Sequence, residues 1–122
     1  MSRARLELLQ WFALFGGPVA FAVEHVVGFF TVSADCNPVS WTVPQHPIEL
    51  AAMSVAALVI LAAEAAAVLV FRATRDAGWE SEPTLGRMHF LSTPALVIAP
   101  HFLTLVLLSG LGAAAHPTCH QS

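Results

Sequence analysis

Residues 48–71 read IELAAMSVAALVILAAEAAAVLVF, with only Glu49 and Glu64 charged and neither glycine nor proline. About 20 apolar residues of helix cross the hydrocarbon core of a bilayer, so this run is long enough for one span. Two more stretches of the same kind flank it. The first, residues 8–32, holds a single charged residue, Glu24. The third, residues 88–115, holds no Asp, Glu, Lys or Arg at all. Each is expected to be helical, because lipid offers no partner to a free backbone amide and three strands cannot close a barrel. The expected fold is an all-α integral membrane protein, one membrane domain over residues 1–122 with three transmembrane helices in a bundle.

Composition leads to the same surroundings. The chain has 122 residues, of which 57% are hydrophobic and 11% charged. A soluble domain of this size needs a far larger polar share to cover its surface. The expected partner of most of the surface is therefore the lipid bilayer. Every basic residue is an arginine: Arg3, Arg5, Arg72, Arg75 and Arg87. They are too few and too dispersed for a nucleic-acid surface. No glycine-rich phosphate loop and no nucleophile motif is present, so no enzyme acting alone is expected.

The arginines give a direction. Arg3 and Arg5 precede the first span, and the other three fall in the 72–87 loop between the second and third. The 33–47 loop and the tail after Ala115 have none. Positive residues are retained on the cytoplasmic side of short loops. The expected topology is N-terminus cytoplasmic, loop 33–47 outside, loop 72–87 inside and C-terminus outside, in a multi-pass protein. The first span also has the ingredients of a cleaved signal peptide, with an arginine-bearing start and Ala20-Phe21-Ala22 as a small-x-small site. Apolar residues continuing through Val32 favour a retained helix instead. The outer loop, with Asn37-Pro38, Trp41, Pro44 and Pro47, reads as an ordered cap at the headgroups. The inner loop, with Gly78, Glu80 and Pro83, reads as a solvated connector.

Helices in lipid pack where small residues let backbones approach. Gly16, Gly17, Ala20 and Gly28 offer this in the first span, a run of alanines in the second, and Ser109, Gly110 and Gly112 in the third. Pro18, Pro94 and Pro100 are expected to bend their helices. Four ionisable residues lie within the spans: Glu24, His25, Glu64 and His101. Such groups are costly in lipid and therefore mark possible function. At about 1.5 Å rise per residue, His25 comes roughly 10–12 Å below the outer surface, His101 roughly 20 Å and Glu64 roughly 25 Å. His25 and His101 are thus offered as axial ligands of a haem b, at an awkward separation. Glu64 and His101 are closer in depth and are offered as a proton-relay pair. His89, Thr93, His101 and Thr104 form a polar stripe on the third span. The plainer reading is that the buried groups are uncharged, hydrogen-bonded inside the bundle, with no bound cofactor.

Both cysteines fall on the expected outer face. Cys36 and Cys119 there read as a disulfide, as an oxidising compartment favours. The alternative is a copper or zinc site built from Cys36, His116, Cys119 and His120, with His46 as a further candidate, since thiolate and imidazole suit those metals.

The run Gly17-Pro18-Val19-Ala20-Phe21-Ala22, then Gly28-Phe29, Cys36 and the closing Pro117-Thr118-Cys119, resembles a family of small three-helix bacterial membrane proteins. Members are often encoded beside haem-copper cytochrome oxidase subunits. In that family the first helix opens on a Gly-Pro-Leu-Ala-Trp-Ala-like run, and a Pro-Pro-Cys-like ending follows the last. Phe21 replaces the tryptophan here, and Thr118 the second proline. The three-span plan matches over the whole chain, though about a dozen residues carry the likeness. The resemblance implies a non-catalytic accessory or assembly subunit of a membrane respiratory complex, related to cytochrome oxidase and hence to electron transport. Other membrane subunits of that complex would be its partners.

Overall fold

A computed structural model of the chain describes residues 1–36, 44–77, 82–115 and Cys119. Three helices account for nearly all of them: α1 (Arg3–Asp35), α2 (Gln45–Thr74) and α3 (Pro83–Ala115). They pack as a three-helix bundle in which α2 meets both neighbours more extensively than α1 meets α3. Each is long and apolar enough to cross a membrane. With 30–33 residues apiece, the helices are about 45–50 Å long, more than the hydrocarbon core requires.

Helices α1 and α2 outrun their apolar stretches at both ends, and α3 outruns its stretch at the start. Hydropathy marks only what lipid must cover, whereas a helix continues until its backbone is capped or broken. Ser2 caps α1, its hydroxyl accepting from the Arg5 amide at 3.4 Å, so the first turn forms ahead of residue 8. Pro83 opens α3 at the first helical position, where a missing N–H costs nothing. Pro47, expected in the outer loop, lies in the first turn of α2, where proline is tolerated for the same reason. Pro18, Pro94 and Pro100 all lie inside continuous helices. The outer-cap residues Asn37, Pro38 and Trp41, the connector residues Gly78 and Glu80, and the tail residues His116, Pro117, Thr118 and His120 lie outside the described residues.

Buried positions step by threes and fours. Along α1 they are Leu6, Gln10, Ala13, Gly16, Gly17, Ala20, Glu24 and Thr31. Along α2 they include Ala56, Ile60, Ala63, Ala67, Val70 and Thr74, and along α3 Met88, Ser92, Ala95 and Ala99. This is the repeat of about 3.5 residues that winds helices into a left-handed supercoil. Close approach comes from small residues, as expected in lipid. A Cβ on Gly16 would stand 3.0 Å from the Ala63 Cβ, and one on Gly17 3.5 Å from the Phe102 Cβ. Gly28 and Gly112, by contrast, have no neighbour within 4 Å of such a Cβ.

Large apolar side chains point the other way. Phe29, Phe90, Val97 and Leu58 are each about two-thirds exposed or more. Several of the buried positions are polar: Gln10, Glu24, Thr31, Gln45, Glu49, Thr74 and Ser92. A soluble bundle has the reverse distribution. The two ends also differ. At the arginine end Arg87 Nη2 reaches Glu7 Oε1 at 2.8 Å, and Arg3 pairs with Glu82. These pairs are exposed and contribute about 0–1 kcal/mol each. At the other end Cys36, at the close of α1, is bonded to Cys119 beyond α3, with Cα atoms 5.3 Å apart.

Candidate functional site

Most polar groups inside the bundle are satisfied on their own helix. Thr31 donates to the Val27 carbonyl at 3.0 Å, Thr74 to that of Val70 at 2.8 Å, and Ser92 to that of His89 at 2.7 Å. Such bonds one turn back are how hydroxyls are accommodated in apolar surroundings. Thr74 also meets His89 Nδ1 at 3.2 Å, and the His89 ring stacks on Phe71. These residues need no further explanation. Among the described residues, five buried side-chain atoms remain without a hydrogen-bond partner: both amide atoms of Gln10, Gln45 Oε1, Glu49 Oε2 and Glu64 Oε2.

One of these residues, Glu49, belongs to a feature at the disulfide end. A cavity of about 310 Å³ opens there between the three helices, with Glu24, His25 and Phe29 from α1, Glu49 from α2 and Ser109 from α3 on its walls. Glu24 is 8% exposed, and its Oε2 lies 3.4 Å from His25 Nδ1. The His25 ring lies against Phe21 at 4.6 Å between ring centroids, tilted by 42°. Glu49, also 8% exposed, lines the cavity and accepts at Oε1 from Gln45 Nε2 at 2.8 Å, which leaves the buried Oε2 without a partner. No arginine or lysine occurs between residues 6 and 71 or after 87. The carboxylates therefore have no fixed counter-cation, a costly arrangement at low dielectric.

A second hollow adjoins the first. A groove of about 730 Å³ runs between α1 and α2, lined from Phe12 to Val27 on one side and from Ile48 to Val59 on the other. Its small side chains are Gly16, Ala20, Ala51, Ala52 and Ala56. Its walls are apolar except for Glu24, which also lines the polar cavity. The bundle thus presents a lipid-facing apolar groove that ends on a buried carboxylate.

Glu64 and His101 are placed at similar depth but on different faces. Gly16 faces Ala63 across the α1–α2 contact, and Gly17 faces Phe102 across α1–α3, so the two residues lie near one level. Glu64 is half-buried with Oε2 unbonded. His101 is exposed on the outer side of α3 with Thr93 and Thr104, and no ion pair joins it to Glu64. Of that stripe only His89 turns to α2, where it meets Thr74, and the Thr104 hydroxyl donates back to the Pro100 carbonyl at 3.0 Å. His25 lines the polar cavity whereas His101 lines neither hollow. The two imidazoles offered as haem ligands are thus not brought to a common hollow. The sulfurs of Cys36 and Cys119 are bonded to each other, so thiolate ligation of copper or zinc would require that bond to be reduced. His116 and His120 lie outside the described residues, and His46 is exposed in the first turn of α2. Among the described residues no group of three His, Cys, Asp or Glu is arranged to hold a metal ion.

Sequence reading named Glu24 and His25 but gave Glu49 no role, and it missed Gln45 and Gln10. Glu49 lies seven residues before Ala56, on the buried repeat of α2. That register is the signal that finds it. No family model, curated protein or solved structure matches this chain.

Proposed function

We propose that the chain is a non-catalytic accessory or assembly subunit of a membrane respiratory complex, held in a bacterial plasma membrane with its N-terminus in the cytoplasm. The observation that carries this reading is the groove between α1 and α2. It leaves small side chains open to lipid, and such faces are what transmembrane helices pack against. The resemblance of the Gly17–Ala22 run and the Cys119 ending to a family encoded beside haem-copper oxidase subunits supports the choice of complex. Orientation rests on two independent cues that agree. All five arginines belong to one end, which the positive-inside rule assigns to the cytoplasm. The disulfide belongs to the other, which an oxidising compartment suits.

Extraction in mild detergent followed by native electrophoresis tests the reading. The chain should migrate with a haem-bearing complex recognised by its visible absorption. Ala51→Phe, which fills the groove from an exposed position, should release it without loss of helix content. A chain that runs alone and monodisperse under every mild condition would contradict the proposal.

A further inference from the structure

We propose that the helix docked in the α1–α2 groove carries a lysine or arginine that pairs with Glu24 and Glu49. This rests on the accessory-subunit reading and gives the partner a chemistry. Three observations lead to it. The groove is about 17–23 Å long on the rise of its lining residues, Phe12 to Val27 and Ile48 to Val59. That length suits a helix lying along it better than a compact ligand. Its polar end is Glu24, which opens at once on the cavity where Glu49 Oε2, in a side chain 8% exposed, has no partner. Finally, the disulfide end of the bundle carries Glu24, Asp35 and Glu49, and no arginine or lysine occurs between residues 6 and 71 or after 87.

Charge complementarity then selects the occupant. Buried carboxylates in lipid are accommodated when a cation meets them, and a neighbouring helix is the usual source. A divalent metal ion is a poorer match, because the acidic and imidazole groups here are not gathered within ligating distance of one point. A long basic side chain instead reaches from the groove past Glu24 toward Glu49. Its apolar stem lies against groove wall while its charged head is withdrawn from lipid. The pair of carboxylates sets depth and register for the partner, and the small residues supply contact area.

Synthetic transmembrane peptides of leucine and alanine test this in neutral liposomes containing the full chain. One peptide carries a single lysine at the depth of Glu24, and its control has leucine there. Energy transfer between dyes should show the lysine peptide binding about tenfold more tightly, the order expected of a polar contact between helices. The combined substitution Glu24→Gln, Glu49→Gln should erase the difference and leave the control unchanged. Retention of the Cys36–Cys119 bond and of helix content shows that the variant folds. Equal binding of both peptides, a lysine preference that survives the substitutions, or no binding of either overturns the pairing. So does carboxylate-dependent uptake of tetraphenylphosphonium without a lysine preference, which makes the occupant a small lipophilic cation. Co-migration with the native complex is read separately, so the subunit assignment can stand or fall apart from the charge pairing.

Discussion

Gln10 is 1% exposed, and neither its amide nitrogen nor its oxygen has a partner. A buried amide without hydrogen bonds costs about 1–3 kcal/mol on mutational scales. Unlike Glu49, it lines neither hollow. Gln10→Leu, close in volume, should therefore raise stability by about 1–3 kcal/mol, read from unfolding in mixed detergent micelles. A loss of stability instead would mean that Gln10 is bonded to a group or water that bridges the helices. The glycines divide in the same manner. Gly16→Val drives its branches into Ala63 and Phe12, which stand 3.0 and 3.2 Å from a Cβ there. It should cost about 1–3 kcal/mol, the range for overpacking. Gly112→Ala has open space and removes a flexible helix position, so it should be neutral or stabilising by up to about 1 kcal/mol. Equal effects at the two sites would argue against the tight α1–α2 contact.

Among the elements, the three helices were legible in the sequence and their ends were not. Apolar runs mark the lipid-covered part, but the cap at Ser2 and the proline at the first position of α3, Pro83, decide where those helices start. Depth was also legible, because rise along a helix is fixed. The face each residue presents was harder to read. All three helices are apolar nearly all round, so no amphipathic stripe distinguishes interior from lipid. Glu64 and His101 match in level for that reason and still fail to meet. Small and polar residues at a spacing of three and four hold the missing information, and Glu24 and Glu49 obey it. The Cys36–Cys119 bond was expected from its compartment and joins positions 83 residues apart. In solution a loop of that size would stabilise the fold by about 4.5 kcal/mol. Here the gain should be smaller, since unfolded transmembrane helices stay inserted and already confine the ends. Reduction should lower the unfolding midpoint and leave helix content intact. An unchanged midpoint would show that the bundle end is held without the bond.

For the whole molecule, orientation and docking are the two properties on which the proposed function rests. In intact cells treated with a reductant, a membrane-impermeant maleimide should label Cys36 and Cys119. Labelling only after the membrane is broken would reverse the topology. The bundle is inverted relative to a soluble one, with large apolar side chains outside, and most of that surface is ordinary contact with lipid. The groove beside Glu24 is different, because it combines depth, small side chains and an unbalanced charge. The account therefore requires that a protein, not lipid, occupies it. Val55 in the groove and Val97 on the outer face of α3 are matched controls, 61% and 70% exposed. A photo-reactive benzophenone side chain placed at each position and activated in native membranes tests the claim directly. The account predicts a discrete protein adduct from position 55 and lipid adducts alone from position 97. Lipid adducts alone from both positions would contradict it.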